Sequence, residues 1–236
     1  SQAGFSYELY KNGVASGNII AGTGAALSYV NLDAGVYTVY GFYTTAPSCI
    51  TQMSGSVTVT QIANPVAYNV TGGGTYCTGG SGVSVGLSDS DTGISYQLLL
   101  GGVPTGTPVA GTGSAIDFGL QTTAGTYTVE ARTVTTPICG PVTMNLNAVV
   151  VVRPLPTVQT VSAPGSTSYC AGTPDVTVQL NSSQGGFSYE LYKNGIATGT
   201  IIAGSGAALS YLNLNAGVYT VYGYYTTAPS CITQMS

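Results

Sequence analysis

Short runs of alternating apolar and polar residues recur along the whole chain. Residues 83–88, 94–100, 115–118, 125–132 and 142–152 each show a period of two or a continuous apolar stretch, the pattern of strands buried on one or both faces. Turn residues separate these runs. Lys11-Asn12-Gly13 and Lys193-Asn194-Gly195 predict tight hairpins, because Asn-Gly supplies the two positive φ angles of a type I′ turn. Gly101-Gly102 serves the same purpose. No stretch joins a 3.6-residue period to capping residues, so the expected fold class is all-β. Asn64-Pro65 and Arg153-Pro154-Leu155-Pro156 are the expected linkers, since proline ends a strand and stiffens a joint.

The pattern repeats. Residues 1–54 return as 183–236 without a gap, and 46 of the 54 positions are identical. Between the copies lies a divergent relative: Tyr76-Cys77-Thr78-Gly79 matches Tyr169-Cys170-Ala171-Gly172, and Ala124-Gly125-Thr126-Tyr127-Thr128-Val129 matches Ala216-Gly217-Val218-Tyr219-Thr220-Val221. Self-similarity at this spacing predicts an array of small domains of about 90 residues. They alternate as A (1–64, N-terminally incomplete), B (65–156) and A′ (157–236, C-terminally incomplete), a window of a longer tandem protein.

Asp33-Ala34-Gly35-Val36-Tyr37-Thr38-Val39 has the form D-x-G-x-Y, recurring around Tyr127 and Tyr219. It marks the strand-F corner of immunoglobulin-like sandwiches, where the Tyr hydroxyl bonds back to the backbone. Tandem immunoglobulin-like β-sandwich modules are therefore expected, without the antibody Trp and with Val39, Val129 and Val221 at the antibody cysteine position. Alternation places Phe5, Tyr7 and Leu9 on one face of their strand and Tyr10 on the other, with Tyr40 and Phe42 on the matching outer face of the neighbour. Tyr10, Tyr40 and Phe42, and their copies Tyr192, Tyr222 and Tyr224, are thus a candidate contact patch, against the plainer reading that Tyr simply suits exposed strands.

Module equivalence also orders the five cysteines. Cys77 opens B and Cys139 follows its corner strand; Cys170 and Cys231 hold the same places in A′. Pairs Cys77–Cys139 and Cys170–Cys231 are expected, each worth about 4 kcal/mol on the chain-entropy model, with the partner of Cys49 outside the window. Disulfides imply an oxidising compartment. A metal site lacks both a C-x-x-C spacing and any His.

Composition narrows the function. Only 5% of residues are charged, 4 Lys+Arg against 8 Asp+Glu, and there is no His and no Trp. Four cations give no electrostatic footprint for nucleic acid, and the longest apolar run, Ala148 to Val152, is too short to insert in a membrane. The usual general base is missing, so no enzyme, catalytic residue, cofactor or metal is expected. Asp89-Ser90-Asp91-Thr92-Gly93 reads as a polar turn rather than a calcium loop. Lys11 and Lys193 at hairpin tips argue against a buried Lys–Asn crosslink. Asn69-Val70-Thr71 and Asn181-Ser182-Ser183 are glycosylation sequons.

The string Val70-Thr71-Gly72-Gly73-Gly74-Thr75-Tyr76-Cys77-Thr78-Gly79-Gly80, with Gly93-Ile94-Ser95-Tyr96-Gln97-Leu98, Ala110-Gly111-Thr112-Gly113 and Ala124 to Val129, resembles tandem Ig-like repeats of giant Bacteroidetes cell-surface adhesins, of the kind exported by the type IX system and linked to attachment and gliding. The resemblance implies an extracellular, cell-surface stalk or filament. Its expected partners are neighbouring repeats or copies of the same chain, with glycans or a host or neighbouring cell surface for an adhesive patch.

Overall fold

Most of the alternating sequence becomes paired strand. The computed structural model describes residues 1–173 and 176–236, Pro229 by its backbone alone. Its described residues form strands and connecting loops, with no helix. The chain divides into two compact units, Ser1–Ala63 and Asn64–Ser236.

The first unit is one antiparallel sheet. Strands β1 (Phe5–Lys11), β2 (Val14–Ala21), β3 (Gly35–Tyr43) and β4 (Ala46–Gln52) lie in the order β2-β1-β3-β4, and β5 (Val57–Val59) pairs with the start of β3. Tyr7 faces Gly41 and Leu9 faces Val39 across β1 and β3. Tyr7, Leu9 and Tyr37 are buried, which fixes the inner face as the alternation predicts.

The second unit contains two pairs of sheets. In residues 65–156 the strands are β6 (Val70–Gly72), β7 (Gly74–Cys77), β8 (Val83–Leu87), β9 (Ile94–Leu100), β10 (Val103–Pro104), β11 (Val109–Ala110), β12 (Ile116–Gln121), β13 (Gly125–Thr133), β14 (Val142–Thr143) and β15 (Ala148–Arg153). One sheet runs β10-β9-β13-β15-β7, with β11 on β9 and β14 on β13; the other runs β12-β8-β6. Val85 and Leu87 from one sheet meet Tyr96, Leu98, Tyr127, Val129 and Val150 from the other in a single core. Residues 157–236 carry β16 (Val161–Ser162), β17 (Val176–Leu180), β18 (Phe187–Lys193), β19 (Ile196–Ala203), β20 (Leu209–Leu214), β21 (Tyr219–Tyr225) and β22 (Ala228–Gln234). Their sheets are β16-β17-β20 and β19-β18-β21-β22, around Leu180, Tyr189, Leu191, Tyr211 and Val221. Two sheets closing on a shared apolar layer make each an immunoglobulin-like sandwich.

Local chemistry agrees with this architecture. Asn12 and Gly13 have φ of 51° and 79°, Asn194 and Gly195 52° and 80°, Gly101 and Gly102 57° and 84°, as primed hairpin turns require. The corner hydroxyls of Tyr37, Tyr127 and Tyr219 donate to the carbonyls of Asp33, Thr123 and Asn215, at 2.9, 2.8 and 2.7 Å. Between β6 and β7 the chain switches sheets through Gly72 and Gly73, at φ of 86° and 80°. A Cβ on Gly72 would fall 2.1 Å from the Ser84 carbonyl oxygen, so only glycine permits the crossing. That crossing carries Cys77 to the edge of the larger sheet.

The two A-type copies differ at one ion pair. Lys11 Nζ lies 2.6 Å from Asp33 Oδ2, an exposed contact, whereas residue 215 is Asn and Lys193 instead sits 5.8 Å over the Tyr219 ring. The Lys11 ammonium, then the Tyr37 hydroxyl, hold the Asp33 carboxyl at about 2, below its ordinary 3.8.

Removing the corner hydroxyl by Tyr127→Phe is expected to cost about 1 kcal/mol, read as a lower urea midpoint with an unchanged slope. A depressed carboxyl stabilises above its unfolded value and loses that contribution as pH falls through the folded one. Asp33→Asn should therefore lower the melting temperature of the first unit above about pH 4, with the difference shrinking as pH falls toward 2 and lost below it, in a pH series of melts.

Candidate functional site

The most elaborated site lies within the second unit, where the B and A′ sandwiches meet. β7 pairs in parallel with β15, setting Cys77 opposite Arg153, and β15 runs straight into Pro154-Leu155-Pro156. Cys77 is disulfide-bonded to Cys231 on β22, Cα to Cα 5.3 Å. Beside it the Arg153 guanidinium lies 4.9 Å over the Tyr225 ring, a cation–π contact that stabilises more as it is desolvated. Its Nη1 approaches the Tyr225 hydroxyl at 3.4 Å, and its Nε is buried without a hydrogen-bond partner. Pro156 closes the joint on Gly223, where a Cβ would stand 3.2 Å from its ring. Further along, the Thr157 amide donates to Gln184 Oε1 at 2.7 Å and the Thr160 amide to Asn181 Oδ1 at 2.9 Å.

This bridge replaces the expected pairs Cys77–Cys139 and Cys170–Cys231. The reason is the length of the corner strand. Cys77 sits at the pole marked by Gly125, Val150 and Arg153. Cys139 sits at the other pole, its carbonyl accepting from the Thr133 amide at 3.1 Å. Gly125 to Thr133 is eight residue steps, roughly 26 Å of strand, whereas a disulfide needs Cα atoms within about 7 Å. The A′ half obeys the same rule. Tyr169, next to Cys170, accepts from the Ala216 amide at 2.8 Å, while Cys231 lies by the far end of β21, where Tyr224 faces Ile232. Within a module the two cysteines are kept apart; across a joint the far pole of one meets the near pole of the next. Cys170 and Cys49 are exposed outside any disulfide, and Cys139 Sγ lies 3.8 Å from the Pro137 carbonyl oxygen. Sequence reasoning missed Arg153 and Tyr225. The only cation of B's last strand, placed directly before a Pro-rich linker, was the signal for them.

The aromatic residues singled out from sequence occupy the outer face. Tyr10 and Tyr40 rings pack with centroids 4.2 Å apart, and Tyr192 and Tyr222 at 4.5 Å. The Tyr40 and Tyr222 hydroxyls donate to Oε1 of Gln52 and Gln234 at 2.9 and 2.8 Å. Glu8 and Glu190 stand opposite Tyr40 and Tyr222 in the ladder. Phe42 and Tyr224 share the face, outside these ring pairs; burial, then the Glu190 charge, raises the Tyr224 hydroxyl above its ordinary value. In B the same face carries a Glu130–Arg132 ion pair at 4.0 Å instead. The Asp91 carboxylate accepts from the Tyr68 hydroxyl at 2.8 Å, pushing that hydroxyl up to about 12, and Asp89 accepts from the Ser90 amide. Both acids serve their turn. Among the described residues no cluster of three metal-ligating side chains occurs.

No family model matches the chain, and no curated protein matches it. Solved structures do. The chicken CNTN1 FN1-FN3 domains are 12% identical over 100% of this chain and 91% of theirs, TM-score 0.34. Sidekick-1 immunoglobulin domains 1-4 are 14% identical over 98% and 64%, TM-score 0.30. SGBP-B of the Bacteroides ovatus mixed-linkage glucan utilization locus, solved with a mixed-linkage heptasaccharide, is 16% identical over 98% and 56%, TM-score 0.23. At such values nothing about ligand or partner follows from them.

Trypsin cuts after Lys11, Arg132 and Lys193 but not at Arg153-Pro154, leaving peptides 12–132, 133–193 and 194–236. A non-reduced digest of the Cys49→Ser chain should show 12–132 joined to 194–236 through Cys77 and Cys231. A link from 12–132 to 133–193 would instead tie Cys77 to Cys139 or Cys170 and overturn the bridge.

Proposed function

We propose that this chain is a non-catalytic structural segment of an extracellular cell-surface adhesin, stalk or filament, with neighbouring repeats and copies of the same chain as its partners. The observation that carries the reading is the Cys77–Cys231 bridge between successive sandwiches. A disulfide belongs to an oxidising compartment. One placed between modules does little for either core, yet it sets the angle of the joint and carries load across it. Pulling on the chain ends transmits force through Cys77, the bridge and Cys231, so the 154-residue separation is bypassed and the enclosed sandwich residues are shielded from extension. The low charge of the chain suits close packing of modules with little salt dependence. The resemblance to Bacteroidetes adhesin repeats, with export by the type IX route, agrees with such a part.

A second reading is favoured by the outer aromatic face. The tilted ring pairs Tyr10–Tyr40 and Tyr192–Tyr222 offer ring area beside a glutamine and a carboxylate, groups that suit a glycan or a partner chain. The patch belongs to the A-type repeat and is replaced by Glu130 and Arg132 in B. A glycan array probed with the wild-type chain and with Tyr10→Ala/Tyr192→Ala separates adhesive binding from a pure spacer.

In single-molecule pulling, reduction of the chain should release about 154 further residues at roughly 3.5 Å each, some 540 Å of contour. Equal contour lengths before and after reduction would remove the load-bearing reading. Antibodies to the chain should label intact producing cells; label appearing only after lysis would exclude a surface location.

A further inference from the structure

The A-type repeats and B end the same sheet in different ways. In A′ the order β19-β18-β21-β22 leaves β19 (Ile196–Ala203) outermost, and β2 (Val14–Ala21) is outermost in the first unit. Among the described residues no strand pairs with the outer side of either. In B the same place, beside β9, is held by the short strands β10 and β11. Pro104 and Pro108 interrupt that edge, and a proline offers no N–H to an incoming strand. β2 and β19 are continuous strands with neither proline nor charge, Val-Ala-Ser-Gly-Asn-Ile-Ile-Ala and Ile-Ala-Thr-Gly-Thr-Ile-Ile-Ala.

A bulge confines the usable part of each edge. The register with β1 shifts between Glu8 and Tyr10, and that with β18 between Glu190 and Tyr192, where Gly17 and Gly199 take φ of 76° and 73°. The Ser16 and Thr198 hydroxyls pin the bulges by donating to the Leu9 and Leu191 carbonyls at 2.6 and 2.7 Å. A bulge bends its strand, so the straight edges are 18–21 and 200–203. Just beyond them the Gly22 and Gly204 amides donate inward, to the Phe5 and Phe187 carbonyls at 2.7 and 2.8 Å. Alternate residues of an antiparallel ladder turn their main-chain groups to opposite sides. Ile20 and Ile202, opposite Tyr7 and Tyr189, are therefore committed inward, whereas Ile19, Ala21, Ile201 and Ala203 present N–H and C=O to solvent. The Ile19 and Ile201 side chains are each 52% exposed beside them.

We propose that the 18–21 and 200–203 edges pair antiparallel with the same edge of a second copy of this chain, making one continuous sheet across the contact. Ile201 of one copy lies opposite Ala203 of the other and exchanges both main-chain hydrogen bonds with it, while Ile202 meets Ile202 at the centre. The edge fits a copy of itself because its symmetry point falls on a residue and no like charges are brought together along it. The inference rests on the reading that copies of this chain are its partners, and names the surface they use. Each contact is short, but the edge recurs in every A-type repeat, so weak pairings reinforce one another along an array. The proline-interrupted edge of B takes no part.

The test uses the full chain with Cys49→Ser and Cys170→Ser, which removes its exposed cysteines. Sedimentation velocity over a concentration series should show association, and amide hydrogen exchange of 18–21 and 200–203 should slow as concentration rises. Ile19→Lys/Ile201→Lys, at exposed positions where the core is untouched, should weaken association by about tenfold or more, while Val103→Lys on the edge of B, 66% exposed, should leave it unchanged. A chain still monomeric at its highest soluble concentration overturns the proposal. Association that leaves exchange at both edges unchanged, or that the lysine pair does not weaken, also overturns it, yet keeps copies of the chain as partners through another surface.

Discussion

An antiparallel sheet with one apolar face holds together in water only when something covers that face. Everything in this chain follows from how that cover is supplied. In B the sheet β12-β8-β6 covers it, and Tyr96, Tyr127 and Val129 become inaccessible. In A′ the sheet β16-β17-β20 does so, and Tyr189 and Val221 follow. The first unit has the same apolar face, and because Ser1 aligns with Ser183 its residues include no counterpart of β17. Identical side chains therefore take different exposures, which shows that burial here is set by the partner sheet and not by the residues of the covered one. Large tyrosines make this work in a glycine-rich chain. Tyr7 and Tyr189 fill core volume while their hydroxyls accept from the amides of Gln2 and Gln184 at 2.9 Å.

A second constraint is length. The strand that carries the tyrosine corner spans its module from pole to pole, so anything fixed to one end is out of reach of the other. This is why cysteines that look paired by module equivalence are not. It is also why a covalent link is available where two poles meet, at the Arg153–Pro156 joint. The guanidinium over Tyr225 shields that joint, and the buried proline removes chain freedom on the unfolded side. The covalent link between modules thus comes from the same strand length that forbids one within them.

Much of this was legible in the residues. Period-two runs located the strands, Asn12-Gly13 and Gly101-Gly102 the hairpins, and Tyr37, Tyr127 and Tyr219 the corners, because each depends on chemistry within a few residues. The alternation of Phe5, Tyr7 and Leu9 against Tyr10 fixed inner and outer faces, and the outer tyrosine pairs followed from it. The bridge was not legible, since it depends on which pole a cysteine occupies. That in turn depends on the switch through Gly72 and Gly73, which the sequence announces only as a flexible spot. Nor does residue identity show that 27–32 leaves the ladder when 209–214 joins it. Two nearly identical strings differ only in what lies beside them.

Surface chemistry and the joint use different parts of the module. The A-type outer face carries paired rings and the B face an ion pair, so any surface-specific contact has the period of two modules, 182 residues. The joint instead uses positions that both module types possess: a cysteine after the first strand switch and another after the corner strand. Cys170 stands where Cys77 does, and Cys49 repeats Cys231 with the same neighbours on both sides. A link between the pole of one module and the facing pole of the next needs only those two positions, so it is indifferent to whether the modules are A or B. A joint built at those positions leaves the outer strands free to differ, as the exchange of Tyr222 and Tyr224 in A′ for Glu130 and Arg132 in B illustrates.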